Sequence, residues 1–281
     1  MTSPDPRTAS LYHAASRAAF SAFGASSIVF ASVATLLVTG IAATMAGADV
    51  LLAVGIGQLG LLVVPAIAMR LTHRGMRALG VGRPHLRFVV ASVLVGVSAW
   101  YVNLRILELL AFPEGDLQGL QNLIERYSLV AVLVAIALAP AICEEVLFRG
   151  VLARGFATRF RPWVAIVLSA AMFSIYHLKP IQMIPTFTLG LVFGLIALRA
   201  GSALPTMLAH LLNNTMALLV ARSGDSAVPR WLERNPTFAL VIAAVLTGGG
   251  VVLVLVRAPS EPLPRDRRAI PDARRRNYPD R

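Results

Sequence analysis

Long apolar runs constrain the fold of this chain more than any other feature of its sequence. A helix that crosses the hydrocarbon core of a bilayer needs about 20 apolar residues. Only helices and closed barrels satisfy all backbone hydrogen bonds in that medium, and no long alternating pattern typical of a barrel is present. We therefore predict an all-α, polytopic transmembrane helical bundle of about eight spans. The predicted spans are 19–46, 50–69, 88–111, 128–149, 162–178, 181–199, 203–221 and 236–256.

The composition is that of a membrane protein and leaves little room for a separate soluble domain. The 281 residues are 57% hydrophobic and only 14% charged, which is more apolar than soluble domains usually are. Polar residues are concentrated in a short N-terminus, brief loops and the C-terminus. We predict a disordered N-terminal tail over 1–17, one membrane domain over 18–256 and a basic, disordered C-terminal tail over 257–281.

The positive charge lies at the ends of the apolar runs and in the C-terminal tail. The net charge is +12, and Lys179 is the only lysine, so arginine carries almost all of it. Arginine collects in alternate connections, and the positive-inside rule then predicts that both termini are cytoplasmic. This charge suits anionic lipid headgroups. We predict no nucleic-acid partner, since no binding motif accompanies the charge. The use of arginine in place of lysine is typical of a GC-rich bacterial genome, so we predict a location in a bacterial inner membrane.

Four polar sites interrupt the apolar runs, and each is a functional candidate because ionisable groups are costly in a bilayer. Glu145 and Arg149 have the i, i+4 spacing of an intrahelical ion pair with the acid N-terminal. That pairing leaves Glu144, about 100° around the helix, free for a reactive role. The other three sites are His177, the pair His210 and Asn214, and the third-span group Asn103, Arg105 and Glu108. For the third-span group we favour mutual pairing or snorkelling.

Helical spacing also groups the remaining candidates. Phe173 and His177 lie four residues apart in FSIYH, so they share a helix face. His210 and Asn214 do the same in HLLNN. An interior carboxylate with two imidazoles and an amide could activate water and stabilise a developing oxyanion. Glu144, His177 and His210 could equally hold a divalent metal such as zinc, although no HExxH motif is present.

Three motifs in this order resemble the CPBP (Abi) family of intramembrane proteases, which includes the type II CAAX prenyl endopeptidases. The motifs are EExxxR at EEVLFR, FxxxH at FSIYH and HxxxN at HLLNN, and they span residues 144–214. The resemblance implies a hydrolase whose motif region covers about 128–220. Its expected reaction is cleavage of a peptide bond in a membrane protein or peptide, and neither the lipidation of the substrate nor the oligomeric state follows from the motifs.

The resemblance also implies a role for each motif residue. Glu144 with His177 would activate water, and His210 with Asn214 would stabilise the oxyanion. The implied supporting residues are Glu145, Arg149 and Phe173. The family is often labelled metalloprotease, yet a metal-free glutamate mechanism has also been argued for its prenyl-protein members. The resemblance therefore leaves two alternatives, a zinc cofactor and a mechanism without any cofactor.

A proton-coupled transporter that uses Glu144 and the histidines as a relay is the alternative from another functional class.

Hydrolysis needs water at Glu144, so we predict a polar cavity in the bundle that opens to the cytoplasm. The predicted spans place His177 closer to the outer face than Glu144. We therefore expect the fourth helix to continue into GVLARGFATRF, and Pro180 and Pro185 to break and reposition the helices that follow.

Overall fold

The computed structural model describes residues 19–110, 115–224 and 226–256. Over these ranges the chain is all-α, as predicted, with ten helices. The predicted tails, 1–17 and 257–281, lie outside the described residues. The helices are α1 Ala22–Met45, α2 Val50–Leu71, α3 Leu86–Leu109, α4 Gly115–Arg126, α5 Leu129–Ala157, α6 Pro162–Tyr176, α7 Pro180–Ala200, α8 Leu204–Arg222, α9 Ala227–Arg234 and α10 Pro236–Leu255.

Seven helices of the described chain are long and apolar enough to cross a membrane: α1, α2, α3, α5, α7, α8 and α10. The multi-pass helical bundle is thus confirmed, and seven of the eight predicted spans are long enough to cross. The predicted span 162–178 is α6, which has 15 residues. At ~1.5 Å per residue it is ~22 Å long, shorter than the ~30 Å hydrocarbon core. It ends early because Leu178, just after it, has a left-handed φ of 57°.

Helix α5 lies at the centre of the bundle and packs against α1, α2, α6, α7 and α8. Its 29 residues extend to Ala157, beyond the predicted end at 149, so the expected continuation into GVLARGF is confirmed. Glu144 therefore lies near the middle of this helix. Arg154, which lies in the added segment, is buried, and its guanidinium donates to the Arg77 carbonyl at 2.6 Å.

Two stretches of α5 are wound as π-helix, Leu133–Leu138 and Val146–Ala153. Pro140 accounts for the first, because it has no N–H to donate to the carbonyl four residues earlier, that of Ile136. The Asn214 side chain on α8 donates its Nδ2 hydrogen to this carbonyl at 3.0 Å. A tertiary contact thus satisfies the backbone group that the proline leaves unpaired.

The two prolines expected to redirect the chain after His177 have different effects. Pro180 begins α7, a position where proline is favoured because its missing N–H is not needed there. Pro185 lies inside α7 without ending it, so the expected break at this residue is wrong. Helix α7 ends at Gly201, which has a left-handed φ of 63°.

The connection between α2 and α3 packs directly onto α5. It contains a 3-10 turn, Met76–Leu79, whose last carbonyl faces Gly150. A Cβ atom at Gly150 would overlap that oxygen. This backbone approach therefore needs a glycine, and it fixes the turn beside the π-helical segment that carries Arg149.

The third-span group is structural, as favoured from the sequence. Arg105 and Glu108 form an ion pair near the end of α3. Asn103 is buried, and its Oδ1 accepts a hydrogen bond of 2.6 Å from the Thr188 hydroxyl on α7. Arg105 and Glu108 thus pair with each other within α3, as favoured, whereas Asn103 links α3 to α7.

Candidate active site

Glu145 is the electrostatic centre of the site. It is fully buried, and its Oε1 accepts hydrogen bonds from the Arg149 guanidinium and from Nδ1 of His210, both at 2.9 Å. The ion pair predicted from the i, i+4 spacing is therefore present. The bond to His210 joins α5 to α8 across 65 residues, and the sequence did not predict it.

Arg149 is packed among aromatic rings and shielded from solvent. Only 1% of it is exposed, and its guanidinium carbon lies 4.1 Å from the ring centre of Phe173 and 5.5 Å from that of Phe193. A desolvated guanidinium is attracted to such ring faces. Phe173, expected as a supporting residue, thus packs on the arginine that pairs with Glu145. Phe193 on α7 was missed because it carries no motif.

Glu144 has a different environment from its neighbour. It is 3% exposed, and its Oε1 accepts a hydrogen bond from Gln58 Nε2 at 3.0 Å. Its Oε2 has no hydrogen-bond partner among the described residues. Tyr176 on α6 lies close enough to interact electrostatically with the carboxylate. Glu144 therefore faces polar groups of α2 and α6, whereas Glu145 binds two basic side chains.

His177 follows the last residue of α6 and is half-buried. Its Nδ1 lies 2.8 Å from the Phe173 carbonyl, and because a carbonyl only accepts, Nδ1 carries the hydrogen. Nε2 is then an acceptor in the neutral ring. The imidazole packs edge-on against the rings of Phe173, at 4.8 Å between centroids, and Tyr176, at 5.1 Å. The predicted shared face of Phe173 and His177 is present.

The Phe173 ring connects the two histidines. Its centroid lies 4.8 Å from that of His177 and 6.3 Å from that of His210. The structure thus gathers residues of α5, α6 and α8 around this ring. Within the described part of the chain, Glu144 makes no hydrogen bond to either histidine.

Asn214 and its neighbour Asn213 form a second polar pair on α8. Asn214 donates one Nδ2 hydrogen to the Ile136 carbonyl and accepts through Oδ1 from Asn213 Nδ2 at 3.2 Å. An amide nitrogen carries two hydrogens, so one of Asn214 is uncommitted. Asn213 is the more buried of the two, and the double asparagine in HLLNN was the signal that could have revealed it.

The residues considered for a metal do not fit a three-ligand site. In the ranges that the structure describes, no three His, Cys, Asp or Glu side chains are grouped so that they could hold a metal ion. Glu144, His177 and His210 are therefore not grouped closely enough to form the open zinc site considered from the sequence.

Residues 126–216 match the family model described as type II CAAX prenyl endopeptidase Rce1-like. The chain carries a domain of this family. The resemblance seen in the three motifs is thus confirmed, and the domain is that of a hydrolase family. No curated protein and no solved structure matches the chain significantly. With seven candidate membrane helices, this is a multi-pass membrane protein.

The Rce1-like domain contains every residue that the motifs singled out, but the site extends beyond it. Gln58, the hydrogen-bond donor to Glu144, lies on α2, outside 126–216. Sequence reasoning missed this residue. Its signal was an amide in the middle of an otherwise apolar run, 50–69, where a polar side chain requires a partner.

Proposed function

We propose that the chain is an intramembrane endopeptidase that hydrolyses a peptide bond of a membrane-associated protein or peptide, with Glu144 as the general base. The observation that supports this most is the difference between adjacent carboxylates. Glu145 is bound to a guanidinium and an imidazole, whereas Glu144 accepts one hydrogen bond and keeps Oε2 without a partner in the described chain. A general base needs such an oxygen to take a proton.

In the proposed reaction, Oε2 of Glu144 takes a proton from a water molecule as the water oxygen attacks the carbonyl carbon of the substrate. Nε2 of His177 accepts the second hydrogen of the water, since its Nδ1 hydrogen is donated to the Phe173 carbonyl. The tetrahedral intermediate then collapses. The carbon–nitrogen bond breaks, and protonated Glu144 returns its proton to the leaving amine.

His210 and Asn214 are the proposed donors to the oxyanion of that intermediate. Nδ1 of His210 donates to Glu145, so Nε2 donates only when the ring carries both hydrogens. The Glu145 carboxylate fixes the orientation of the ring through the Nδ1 hydrogen. Asn214 contributes the amide hydrogen that Ile136 does not use. Donors fixed before the reaction stabilise an oxyanion most effectively.

Water and substrate must reach a carboxylate that is 3% exposed, so the proposed reaction requires the helices around Glu144 to open. We propose that they open toward the cytoplasm, with both termini on that side of a bacterial inner membrane, because arginine collects in the connections assigned to it. This orientation needs an even number of crossings, so in this proposal the short apolar helix α6 makes an eighth crossing beside the seven long helices. A C-terminal fusion to a fluorescent protein that matures only in the cytoplasm should fluoresce. A C-terminal fusion to alkaline phosphatase, which is active only outside the cytoplasm, should be inactive.

Cleavage by the purified full chain tests the proposed function. The chain, in lipid nanodiscs, is given internally quenched peptides that differ only in whether a cysteine near the C-terminus is prenylated. We expect Glu144→Gln and His177→Ala each to lower kcat by about 10²- to 10⁴-fold, as for loss of an acid–base group. Glu108→Gln, the same chemical change in a half-exposed ion pair, and Cys143→Ala should leave kcat unchanged.

Two results would contradict the proposal. One is cleavage by Glu144→Gln at the wild-type rate. The other is proton-coupled flux in liposomes that depends on Glu144 while no peptide of the panel is cut, and this result would favour the transporter. Comparing the prenylated and unmodified peptides also shows whether the substrate must be lipidated.

A further inference from the structure

Gln58 connects the proposed base to a helix outside the Rce1-like domain. Its Nε2 donates to Glu144 Oε1 at 3.0 Å, from α2 to α5 across 86 residues. Over the residues that the structure describes, this is the one hydrogen bond made by the Glu144 side chain. The orientation of the carboxylate is therefore set by α2, which the domain at 126–216 does not include.

The packing of α2 on both sides holds Gln58 in place. Toward α1, a Cβ atom at Gly60 would lie 3.3 Å from the Leu36 Cα and 3.3 Å from the Thr35 carbonyl oxygen, so the two helix backbones approach closely. Toward α5, the helix packs against the segment Ala139–Glu145, which carries Glu144. A helix enclosed in this way cannot shift without opening both contacts.

The chemistry of the amide also fixes which way it faces. A carboxylate only accepts, so the NH₂ end of Gln58 must point to Glu144. The carbonyl end, Oε1, is buried and has no hydrogen-bond partner in the described chain. Tyr176 lies close enough to interact with both Gln58 and Glu144. The three side chains form one polar cluster on α2, α5 and α6.

We propose that Gln58 is a positioning residue for the peptide hydrolysis proposed above, on which this inference rests. By holding Oε1 of Glu144, it restrains rotation of the carboxylate and presents Oε2 to the attacking water. A restrained base keeps its reactive geometry in the ground state, and small misplacements of such groups are costly in rate. Gln58 itself touches neither water nor substrate in this scheme.

The variant Gln58→Met in the full chain tests this assignment, because methionine keeps the length of the side chain and removes the donor. We expect kcat for the quenched peptide that the wild type cleaves to fall about 10- to 100-fold, as for loss of a hydrogen bond to a charged group. KM should stay within about twofold, because Gln58 binds no substrate. The matched control, Leu61→Met on the same helix, should change neither constant.

Three further measurements separate positioning from folding. The thermal midpoint of Gln58→Met in nanodiscs should match that of Leu61→Met. Gln58→Glu keeps size and polarity but faces Glu144 with a second carboxyl group, and it should lower kcat at least as much. In infrared spectra, the carboxyl band that Glu144→Gln removes should shift in Gln58→Met and not in Leu61→Met.

The outcomes distinguish this inference from the proposed function. Wild-type cleavage by Glu144→Gln would overturn the proposed function and this inference with it. Loss of cleavage in Glu144→Gln together with wild-type kcat in Gln58→Met would overturn this inference alone. A rise in KM at constant kcat, or an equal fall of kcat in Leu61→Met, would also overturn it.

Discussion

Among substitutions that keep the volume of a side chain nearly unchanged, Arg149→Met should be one of the most destabilising in this protein. The guanidinium lies 2.9 Å from Glu145 Oε1, with 1% and 0% of the two side chains exposed. Without it, Glu145 would remain buried beside His210 alone. Removing one partner of a buried ion pair costs about 3–5 kcal/mol of unfolding free energy, because the other charge is left uncompensated.

A double-mutant cycle measures this effect. The free energy of unfolding is determined in mixed micelles for Arg149→Met, Glu145→Gln and the double variant. Once Glu145 is neutral, loss of the arginine should cost less, giving a coupling energy of about 1–3 kcal/mol, the upper part of the range for contacting residues. The chain offers a matched control in Arg105→Met, whose ion pair with Glu108 is 35% and 45% exposed. That change should cost at most about 1 kcal/mol.

The reasoning would be refuted if Arg149→Met cost no more than Arg105→Met. It would also be refuted if the costs of Arg149→Met and Glu145→Gln were simply additive. Either result would mean that the pair is not held as a desolvated unit, and that its aromatic surroundings at Phe173 carry the stability of this region instead.

Two other predictions concern the backbone of α5. Gly150→Ala should destabilise the bundle by about 1–3 kcal/mol or more, because the added methyl group meets a backbone carbonyl. Gly119→Ala on α4, where a Cβ meets nothing within 4 Å, should be neutral or stabilising, and equal melting temperatures of the two variants would contradict the close approach. Pro140→Ala restores an N–H that can donate to the Ile136 carbonyl. Asn214→Ala should therefore cost about 1 kcal/mol in the wild type and less in Pro140→Ala; equal costs in the two backgrounds would show that Asn214 does not satisfy that carbonyl.

The helices could be predicted where their causes are local. Apolar length predicted spans such as 181–199, observed as Pro180–Ala200. Apolar length alone ended α5 at residue 149, because Gly150 and Arg154 look like the end of a span, and its continuation was expected only from the mismatch in depth between Glu144 and His177. In the folded chain Gly150 receives the backbone of the preceding connection, and the buried Arg154 donates to the Arg77 carbonyl. Only distant parts of the chain make these residues compatible with a buried helix.

The candidate site divides in the same way. The sequence alone determined the Glu145–Arg149 pair and the shared face of Phe173 and His177, because helical spacing fixes contacts between residues one turn apart. Tertiary structure decided that His210 binds Glu145 and that Gln58 binds Glu144. These partners lie on helices far apart in sequence, and their meeting depends on how closely the helices pack. A local sequence pattern does not determine the distance between two helices.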